Sequence, residues 1–122
     1  AKIIQVKHVK KGETIGYNRM TTLEKDSKVG IVNIGYADGL MRNLGNRKYS
    51  FIVNGMEAPI LGNVCMDLTI IDLSGIEDVG IGHQVTIFDE DLPIEKMSEM
   101  AGTIPYEILS RISNRVKRKF YF

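Results

Sequence analysis

The chain has 122 residues, with 16 Lys or Arg against 15 Asp or Glu, so its formal net charge is +1 at pH 7. Such a balance creates no global field for nucleic acid or a membrane surface, and no apolar run approaches the ~18–20 residues of a membrane helix. The hydrophobic fraction of 43% excludes disorder, and the length predicts a single domain over residues 1–122.

Alternating and β-branched runs predict strands in the first half of the chain. Residues 2–10 alternate apolar and polar side chains, which is typical of a strand. Residues 10–17 predict a Gly-containing turn into a second extended segment. The mostly apolar residues 28–36 predict a buried strand. Asn54-Gly55 tolerates positive φ at both turn positions, so it predicts a hairpin between two extended runs.

The second half continues this pattern. Residues 64–73, 85–89 and 116–122 predict further strands, and two loops are expected at 37–48 and 74–84. The chain enters its first strand pattern at once, as expected for a cut made between domains or for a processed start.

Two short helices are predicted late in the chain. Residues 93–102 have Pro at the start, apolar residues at helical spacing and Gly after the end, and residues 105–113 follow as a second short helix. The predicted fold class is therefore mainly β: a small barrel or sandwich-like domain with two short helices late in the chain.

Cys65 is the single cysteine, so no internal disulfide can form and a reducing compartment is expected. His8 and His83 offer no paired ligand spacing, so no metal site is predicted. A lone cysteine in a strand is usually a small buried hydrophobic residue. Neither metal binding nor redox chemistry is therefore expected at Cys65.

The stretch Cys65-Met66-Asp67 heads an apolar run. Strand alternation would place Cys65 and Asp67 on one face, with Met66 and Leu68 on the other. The sequence leaves two interpretations open: a strand mostly in the core, or a polar contact at a binding site.

Two tyrosines are further candidates. Tyr36 is placed where a buried strand ends and the turn Ala37-Asp38-Gly39 begins, a common position for binding residues. Taken alone, this stretch favours packing of Tyr36 over the barrel end. Tyr17 alone predicts nothing.

The C-terminal segment is basic. Five cations occur between residues 111 and 119 without an acid: Arg111, Arg115, Lys117, Arg118 and Lys119. A basic patch on a small β domain can bind nucleic acid. Because the domain is near neutral, a solvated face or contact with an acidic partner domain is the favoured interpretation. In that case Lys117 and Lys119 are dispensable, and Arg115 and Arg118 can hold a carboxylate or backbone carbonyls across a domain junction.

Four stretches in this order resemble one family. They are "GETIGY", "IGYADGLMR", "GNVCMD" and "GTIPYEILSRISNRVKR". Together they resemble the C-terminal domain of alanine racemase, the bacterial fold-type III enzyme that uses pyridoxal phosphate. The sequence is most similar to the racemase part of fused ligase–racemase proteins.

The resemblance implies a larger enzyme. In that family an N-terminal (β/α)8 barrel holds pyridoxal 5'-phosphate on a lysine, within a Lys-Ala-x-Ala-Tyr-Gly motif that this chain does not contain. The resemblance therefore implies a domain without the cofactor lysine, inactive alone, from a cytoplasmic homodimer that interconverts L- and D-alanine for peptidoglycan. Alanine and serine remain open as substrates.

The resemblance also assigns roles around the substrate. Tyr17 matches the family's catalytic acid/base, and Met66 matches the methionine whose backbone amide helps to hold the substrate carboxylate. Cys65 and Asp67 flank Met66 as neighbours that shape the substrate site. In the family, the equivalents of Tyr17 and Met66 reach into the partner subunit's site.

Further roles concern the entrance and the cofactor. Tyr36 and Arg42 match residues that line the active-site entrance, and Ile104 lies near it. Asn63 stands there where the family often has an arginine. Tyr106 matches a tyrosine whose hydroxyl reaches the cofactor phosphate of its own subunit.

A function of a different class stays open. A stand-alone small β-barrel could bind protein or nucleic acid through its basic C-terminal tail.

Overall fold

The computed structural model describes residues 1–15 and 21–121. Its strands are β1 (Ile3–Val9), β2 (Thr14–Ile15), β3 (Thr21–Thr22), β4 (Ser27–Val32), β5 (Ser50–Val53), β6 (Met56–Leu61) and β7 (Thr69–Asp72), and its helices are α1 (Ile94–Ala101) and α2 (Pro105–Arg111). An antiparallel sheet has the order β1-β4-β7-β6-β5, and β2 pairs with β3 in a second sheet. The predicted mainly β fold with two late helices is confirmed.

Residues 83–86 close the large sheet towards a barrel. They lie between its two edge strands, where Gln84 forms a bridge with Lys2 next to β1 and Thr86 forms one with Ile52 in β5. The N–H groups of Thr86 and Ile52 donate to each other's carbonyls at 2.9 and 3.0 Å. Both edges therefore find hydrogen-bond partners, as closed β architectures require.

Each strand of the large sheet contributes a fully buried side chain to one main core. These side chains include Ile3, Val32, Phe51, Ile60 and Ile71. Burying an aliphatic or aromatic side chain of this size stabilises the fold by about 1.5–3 kcal/mol. Met97 of α1 and Ile108 of α2 belong to the same core, so the helices pack against the barrel.

A second, smaller cluster holds the short β2–β3 sheet in place. Its buried members are Val9, Ile15, Leu23, Val29 and Leu61. They join β2 and the residue after β3 to strands β1, β4 and β6, so apolar contacts hold the short sheet against the large one.

The hairpin predicted at Asn54-Gly55 is confirmed. β5 and β6 pair with Val53 opposite Met56, and the two turn residues have φ of 50° and 76°. Positive φ at both positions is the geometry that suits the right-handed twist of the flanking strands.

The helices also form where the sequence predicted them. Pro93 precedes α1, and Gly102 ends it with φ of 72°, so its N–H can close the last turn. α2 begins with Pro105 in its first turn and ends at Arg111, two residues before the predicted boundary. None of the helices in the described ranges is both long enough and apolar enough to cross a membrane.

Four predicted strands are wrong in part or entirely. Only residues 69–72 of the predicted strand 64–73 are extended in the sheet, and the strand predicted over 28–36 ends at Val32. Residues 85–89 contribute one isolated bridge instead of a strand. Residues 116–121 form no strand, and Phe122 lies outside the described residues.

Candidate functional site

Two short turns meet at one end of the barrel. The first, here called the tyrosine turn, is a 3-10 turn at Tyr36–Asp38 that follows β4. The second, the methionine turn, comprises residues 65–68 and precedes β7. The buried hydroxyl of Thr69 donates to the Ile34 carbonyl at 2.6 Å, so the ends of both turns are fixed to the same part of the sheet.

The two turns are joined by backbone hydrogen bonds. The Tyr36 N–H donates to the Cys65 carbonyl and the Ala37 N–H to the Met66 carbonyl, both at 2.9 Å. The methionine turn is closed by a bond of 3.1 Å from the Cys65 N–H to the Leu68 carbonyl. The predicted alternation of Cys65 and Asp67 against Met66 and Leu68 is therefore wrong, since these residues form a turn and not a strand.

Gly35 permits this close approach. A Cβ atom at this position would lie 2.3 Å from the carbonyl oxygens of Cys65 and Met66, which are backbone atoms that cannot rotate away. The sequence analysis missed this residue. The available signal was a glycine directly after a buried strand, since such a glycine often marks close approach of another backbone segment.

An open depression of about 470 Å³ lies beside the two turns. It is lined by Tyr36, Arg42, Asn63, Val64, Cys65 and Met66. The Arg42 guanidinium lies 5.9 Å from the centroid of the Tyr36 ring, within the range of a cation–π contact. The structure thus brings together five of the nine side chains that the sequence singled out.

The methionine turn offers unused hydrogen-bond donors. Within the described ranges, the N–H groups of Met66, Asp67 and Leu68 donate to no protein acceptor. The Met66 side chain is 52% exposed, so this part of the turn is open to solvent. Cys65 is half-buried, with its Sγ 3.7 Å from the Asn63 carbonyl. The turn can therefore bind an anionic group through its backbone.

A charged network supports the same two turns. Arg115 donates from Nη2 to the Asp67 carboxylate at 2.8 Å, and its Nε lies 3.5 Å from the Asp38 carboxylate. The other Asp38 oxygen accepts the Gly35 N–H at 2.9 Å. The hydrogen bond with Asp67, together with the charge of Asp38, raises the pKa of the Arg115 guanidinium.

A second depression of about 450 Å³ extends from the same tyrosine and arginine to α2. Tyr36, Arg42 and Arg111 are among its lining residues. Ile104 and Tyr106, at the start of α2, line neither depression, and their side chains are 58% and 80% exposed. They form a separate exposed area of the chain.

Tyr17, the predicted catalytic residue, lies outside the described residues. Residues 16–20, which connect β2 with β3 along the chain, include it. Tyr49 is a poor alternative acid/base, because it is 2% exposed and its hydroxyl donates to the Ile87 carbonyl at 2.6 Å. Burial, with a smaller effect of Asp89, raises the pKa of Tyr49 well above its ordinary value.

The arginines of the basic C-terminal segment have partners in the chain. Arg111 lies 3.8 Å from Glu107, and Arg118 donates to the Ile112 carbonyl at 3.0 Å. Arg115 holds two carboxylates, as described above. The sequence analysis expected Arg115 and Arg118 to make such contacts across a domain junction, whereas the contacts described here lie within the chain. In residues 1–15 and 21–121, no group of three or more His, Cys, Asp or Glu could hold a metal ion.

Comparison with known proteins identifies a family. Residues 1–120 match the family model described as the alanine racemase C-terminal domain. The alanine racemase of Thermodesulfovibrio yellowstonii is 39% identical over 123 residues, which cover 98% of this chain and 34% of the relative. That of Aquifex aeolicus is 41% identical over 118 residues, which cover 97% and 34%. The chain spans about a third of the length of these curated relatives.

Solved structures agree with this match. The alanine racemase of Bartonella henselae with covalently bound pyridoxal phosphate superposes with a TM-score of 0.93 at 31% identity, over 99% of this chain and 34% of that one. The Bacillus anthracis enzyme with bound L-Ala-P gives a TM-score of 0.85 at 38% identity, over 94% and 30%. From the sequence match over residues 1–120 and the shared fold, we conclude that this chain belongs to the alanine racemase C-terminal domain family.

Proposed function

We propose that this chain is the C-terminal domain of a pyridoxal-phosphate-dependent racemase that interconverts L- and D-alanine in the bacterial cytoplasm, for cell-wall peptidoglycan. The observation that carries the proposal is the Met66 N–H, which donates to no acceptor among the described residues and lies beside the depression of about 470 Å³, in a chain that belongs to this family. The domain supplies residues to an active site whose other half comes from an N-terminal barrel domain.

The partners follow from what the chain lacks. It has no match to the cofactor-lysine motif of the family, and its relatives are about three times as long. In our proposal the barrel domain of the same polypeptide holds the cofactor, and two such polypeptides form a homodimer. Tyr17 and Met66 then act in the partner subunit's site, and the domain alone is inactive.

Tyr17 is the proposed acid/base on one face of the substrate. Racemisation requires removal of the Cα proton from one face and delivery of a proton to the other. Pyridoxal phosphate, when bound, takes up the negative charge that remains at Cα. A free tyrosine has a pKa near ~10, so Tyr17 needs nearby positive charge to favour its phenolate. We assign that charge to the barrel domain.

Met66 is the proposed anchor of the substrate carboxylate. Its N–H is free to donate, and a charge-assisted bond from a backbone amide to a carboxylate is short and strong. Because the donor is the backbone, the apolar side chain is no obstacle. Cys65 fills space beside it, and Asp67 is held away by its bond to Arg115.

In our proposal this chain contributes one contact to the cofactor. Tyr106 presents a phenol on an 80% exposed side chain at the first turn of α2, so its hydroxyl is available to a phosphate oxygen. We propose that it reaches the cofactor phosphate of its own subunit.

Substrate access is assigned to the depression. Tyr36 and Arg42 line it together, and Asn63 lies on the same wall. Ile104, exposed at the boundary of α2 and outside this depression, is assigned a place near the entry passage of the complete enzyme. Asn63 leaves this wall without the charge that an arginine would provide, so Arg42 is the cation of this depression that attracts the alanine carboxylate.

The test is racemisation of alanine by the complete two-domain protein. Purified with pyridoxal phosphate, it should convert L-alanine to D-alanine until the two are equal, as followed by chiral chromatography. L-serine, offered in parallel, measures the substrate preference. A complete protein that carries a barrel domain and bound cofactor but racemises neither amino acid would refute the proposal.

The alternative of a stand-alone nucleic-acid or protein-binding module has less support. Its basic tail would need free cations, but Arg111, Arg115 and Arg118 are engaged within the chain. Lys117 and Lys119 remain, and two exposed lysines provide few phosphate contacts.

A further inference from the structure

We propose that Arg115 is a positioning residue, which fixes the methionine turn against the tyrosine turn and so directs the Met66 N–H. The inference rests on the proposed function, because the substrate carboxylate is what that N–H would meet. Arg115 itself is not assigned any contact with substrate.

The geometry shows one side chain holding both turns. Arg115 reaches the Asp67 carboxylate of the methionine turn at 2.8 Å and the Asp38 carboxylate of the tyrosine turn at 3.5 Å. The contacts use different nitrogens of the guanidinium, Nη2 and Nε. Its planar, multi-donor shape suits two simultaneous acceptors, whereas a lysine presents a single point charge.

Arg115 is itself held at the tyrosine turn. The Ser113 N–H donates to the Asp38 carbonyl at 3.0 Å, and the Arg115 N–H lies 3.3 Å from the Ser113 hydroxyl. A Cβ on Gly39 would lie 2.5 Å from the Arg111 carbonyl, so the end of α2 packs tightly against this turn. The guanidinium therefore extends from a fixed base towards Asp67.

The methionine turn depends on this support. Met66 and Asp67 are exposed, and the turn is joined to the tyrosine turn by two backbone hydrogen bonds. Exposed segments with few buried contacts open locally at low free-energy cost. Without Arg115 the turn should open more often, and its free N–H groups should lose their fixed direction.

The first measurement is amide hydrogen exchange in the complete protein. In Arg115→Ala, the amides of Tyr36 and Ala37 should exchange about tenfold faster, because they donate to the methionine turn. Arg118→Ala is the matched control, since among the described residues Arg118 binds the backbone carbonyls of Ile112 and Val116 and no carboxylate. It should leave those two amides unchanged.

The second measurement separates binding from chemistry. In Arg115→Ala, KM for alanine should rise about tenfold and inhibition by acetate should weaken by a similar factor, while kcat changes less than about threefold. Acetate is the probe because it has a carboxylate and no amino group. Arg118→Ala should leave KM and the acetate constant unchanged.

The third measurement tests whether Arg115 acts through Asp67. Asp67→Asn should reproduce the Arg115→Ala effects on exchange and on acetate, and the double variant should add little to either single one. Asp67→Asn also tests the proposal if Arg115→Ala does not fold. Unchanged exchange and acetate inhibition in the variant that folds, or equal effects of Arg115→Ala and Arg118→Ala, would overturn the proposal. A wild-type protein without racemase activity would refute the proposed function, whereas the exchange comparison would still test the Arg115 link.

Discussion

Tyr17 carries the proposed chemistry, and Tyr17→Phe in the complete protein tests it. The change removes one hydroxyl and keeps the ring. Racemisation should fall by about 10²–10⁴, the usual contribution of a positioned general acid/base. Because the cofactor lysine would still serve the opposite face, solvent-deuterium exchange into L-alanine should be impaired more than exchange into D-alanine.

Tyr36→Phe is the matched control for that experiment. Tyr36 lines the depression, so loss of its hydroxyl should change substrate binding. Solvent-deuterium exchange into L-alanine and into D-alanine should then be affected equally. Equal impairment of both hands in Tyr17→Phe would mean that Tyr17 only positions the substrate. A hand-specific loss in Tyr36→Phe alone would mean that the two tyrosines have been exchanged in our assignment.

Asp72 gives the fold a defined pH dependence. Burial by itself would raise the pKa of its carboxyl, but hydrogen bonds from Ser74 and the Arg47 guanidinium at 3.1 Å outweigh it, and the pKa lies below 3.8. The unfolded chain then binds more protons between the two values, so stability rises with pH in that window. The stabilising contribution of ionised Asp72 is present above about pH 3.8 and is lost as pH falls through the pKa of the folded state.

The prediction is checked with Asp72→Asn in the complete protein. Its unfolding midpoint should lie below that of the wild type at neutral pH, and the difference should disappear in acid. Asp91→Asn, at an exposed position, is the control and should shift little at any pH. A difference that persists below the folded pKa would contradict the assigned cause.

The sequence predicted which residues belong to the site better than it predicted the contacts that hold them in place. Tyr36, Arg42, Asn63, Cys65 and Met66 could be chosen from motifs, and the structure places them around one depression. A glycine after a buried strand signals a close approach at Gly35, but its partner segment, thirty residues along the chain, could not be predicted. The contact of Asp38 with Arg115 likewise joins segments that are distant in the sequence. For Tyr17, the prediction from the sequence remains a prediction.

The contact between the tyrosine and methionine turns depends on a missing side chain. Gly35→Ala would place a methyl group 2.3 Å from two carbonyl oxygens, so one turn must move. Overpacking of this kind typically costs about 1–3 kcal/mol. We expect a lower unfolding midpoint and a large loss of racemase activity in the complete protein.

Gly75→Ala is the control for this change. Apart from Gly75 and its chain neighbours, no atom of the described residues lies within 4 Å of a Cβ built there, so both stability and activity should stay near those of the wild type. If Gly35→Ala kept full activity and an unchanged midpoint, the close approach of the two turns would not matter for the site.

Elements with strong local signals were predictable, and the methionine turn was not. The hairpin at Asn54-Gly55 and helix α1 carry turn and capping residues, and both form as predicted. Residues 64–68 are mostly apolar and continue directly into β7, so the period-2 rule extended the strand too far. Exposure of Met66 at a site is a property that hydrophobicity alone cannot indicate.

The chain as a whole should be folded and catalytically inactive when expressed alone. It lacks the lysine motif that holds the cofactor in the family, so after incubation with pyridoxal phosphate, borohydride reduction and dialysis it should stay colourless. The complete protein, treated in the same way, should retain one cofactor per chain on one lysine. A stoichiometric adduct on one specific lysine of the isolated chain would contradict the prediction, whereas scattered surface labelling would not.

The overall class was predictable, but the closure of the barrel was not. Short β-branched runs and late helical patterns indicate a mainly β domain with two helices. The sequence predicted a strand at residues 85–89, whereas residues 83–86 pair in or next to both edge strands through isolated bridges. Such pairing is set by the space left between two edges, which local sequence does not specify.

Closure by residues 83–86 also sets an order of events on the ribosome. β1 can pair with β4 once Val32 has been made, but its other edge must wait until residues 83–86 emerge. At ~5–20 residues per second this wait lasts several seconds, during which the open edge can pair with another nascent chain. Lys2, Lys7 and Lys10 in and beside β1 charge that edge positively, and their mutual repulsion protects neighbouring nascent chains until the barrel is complete.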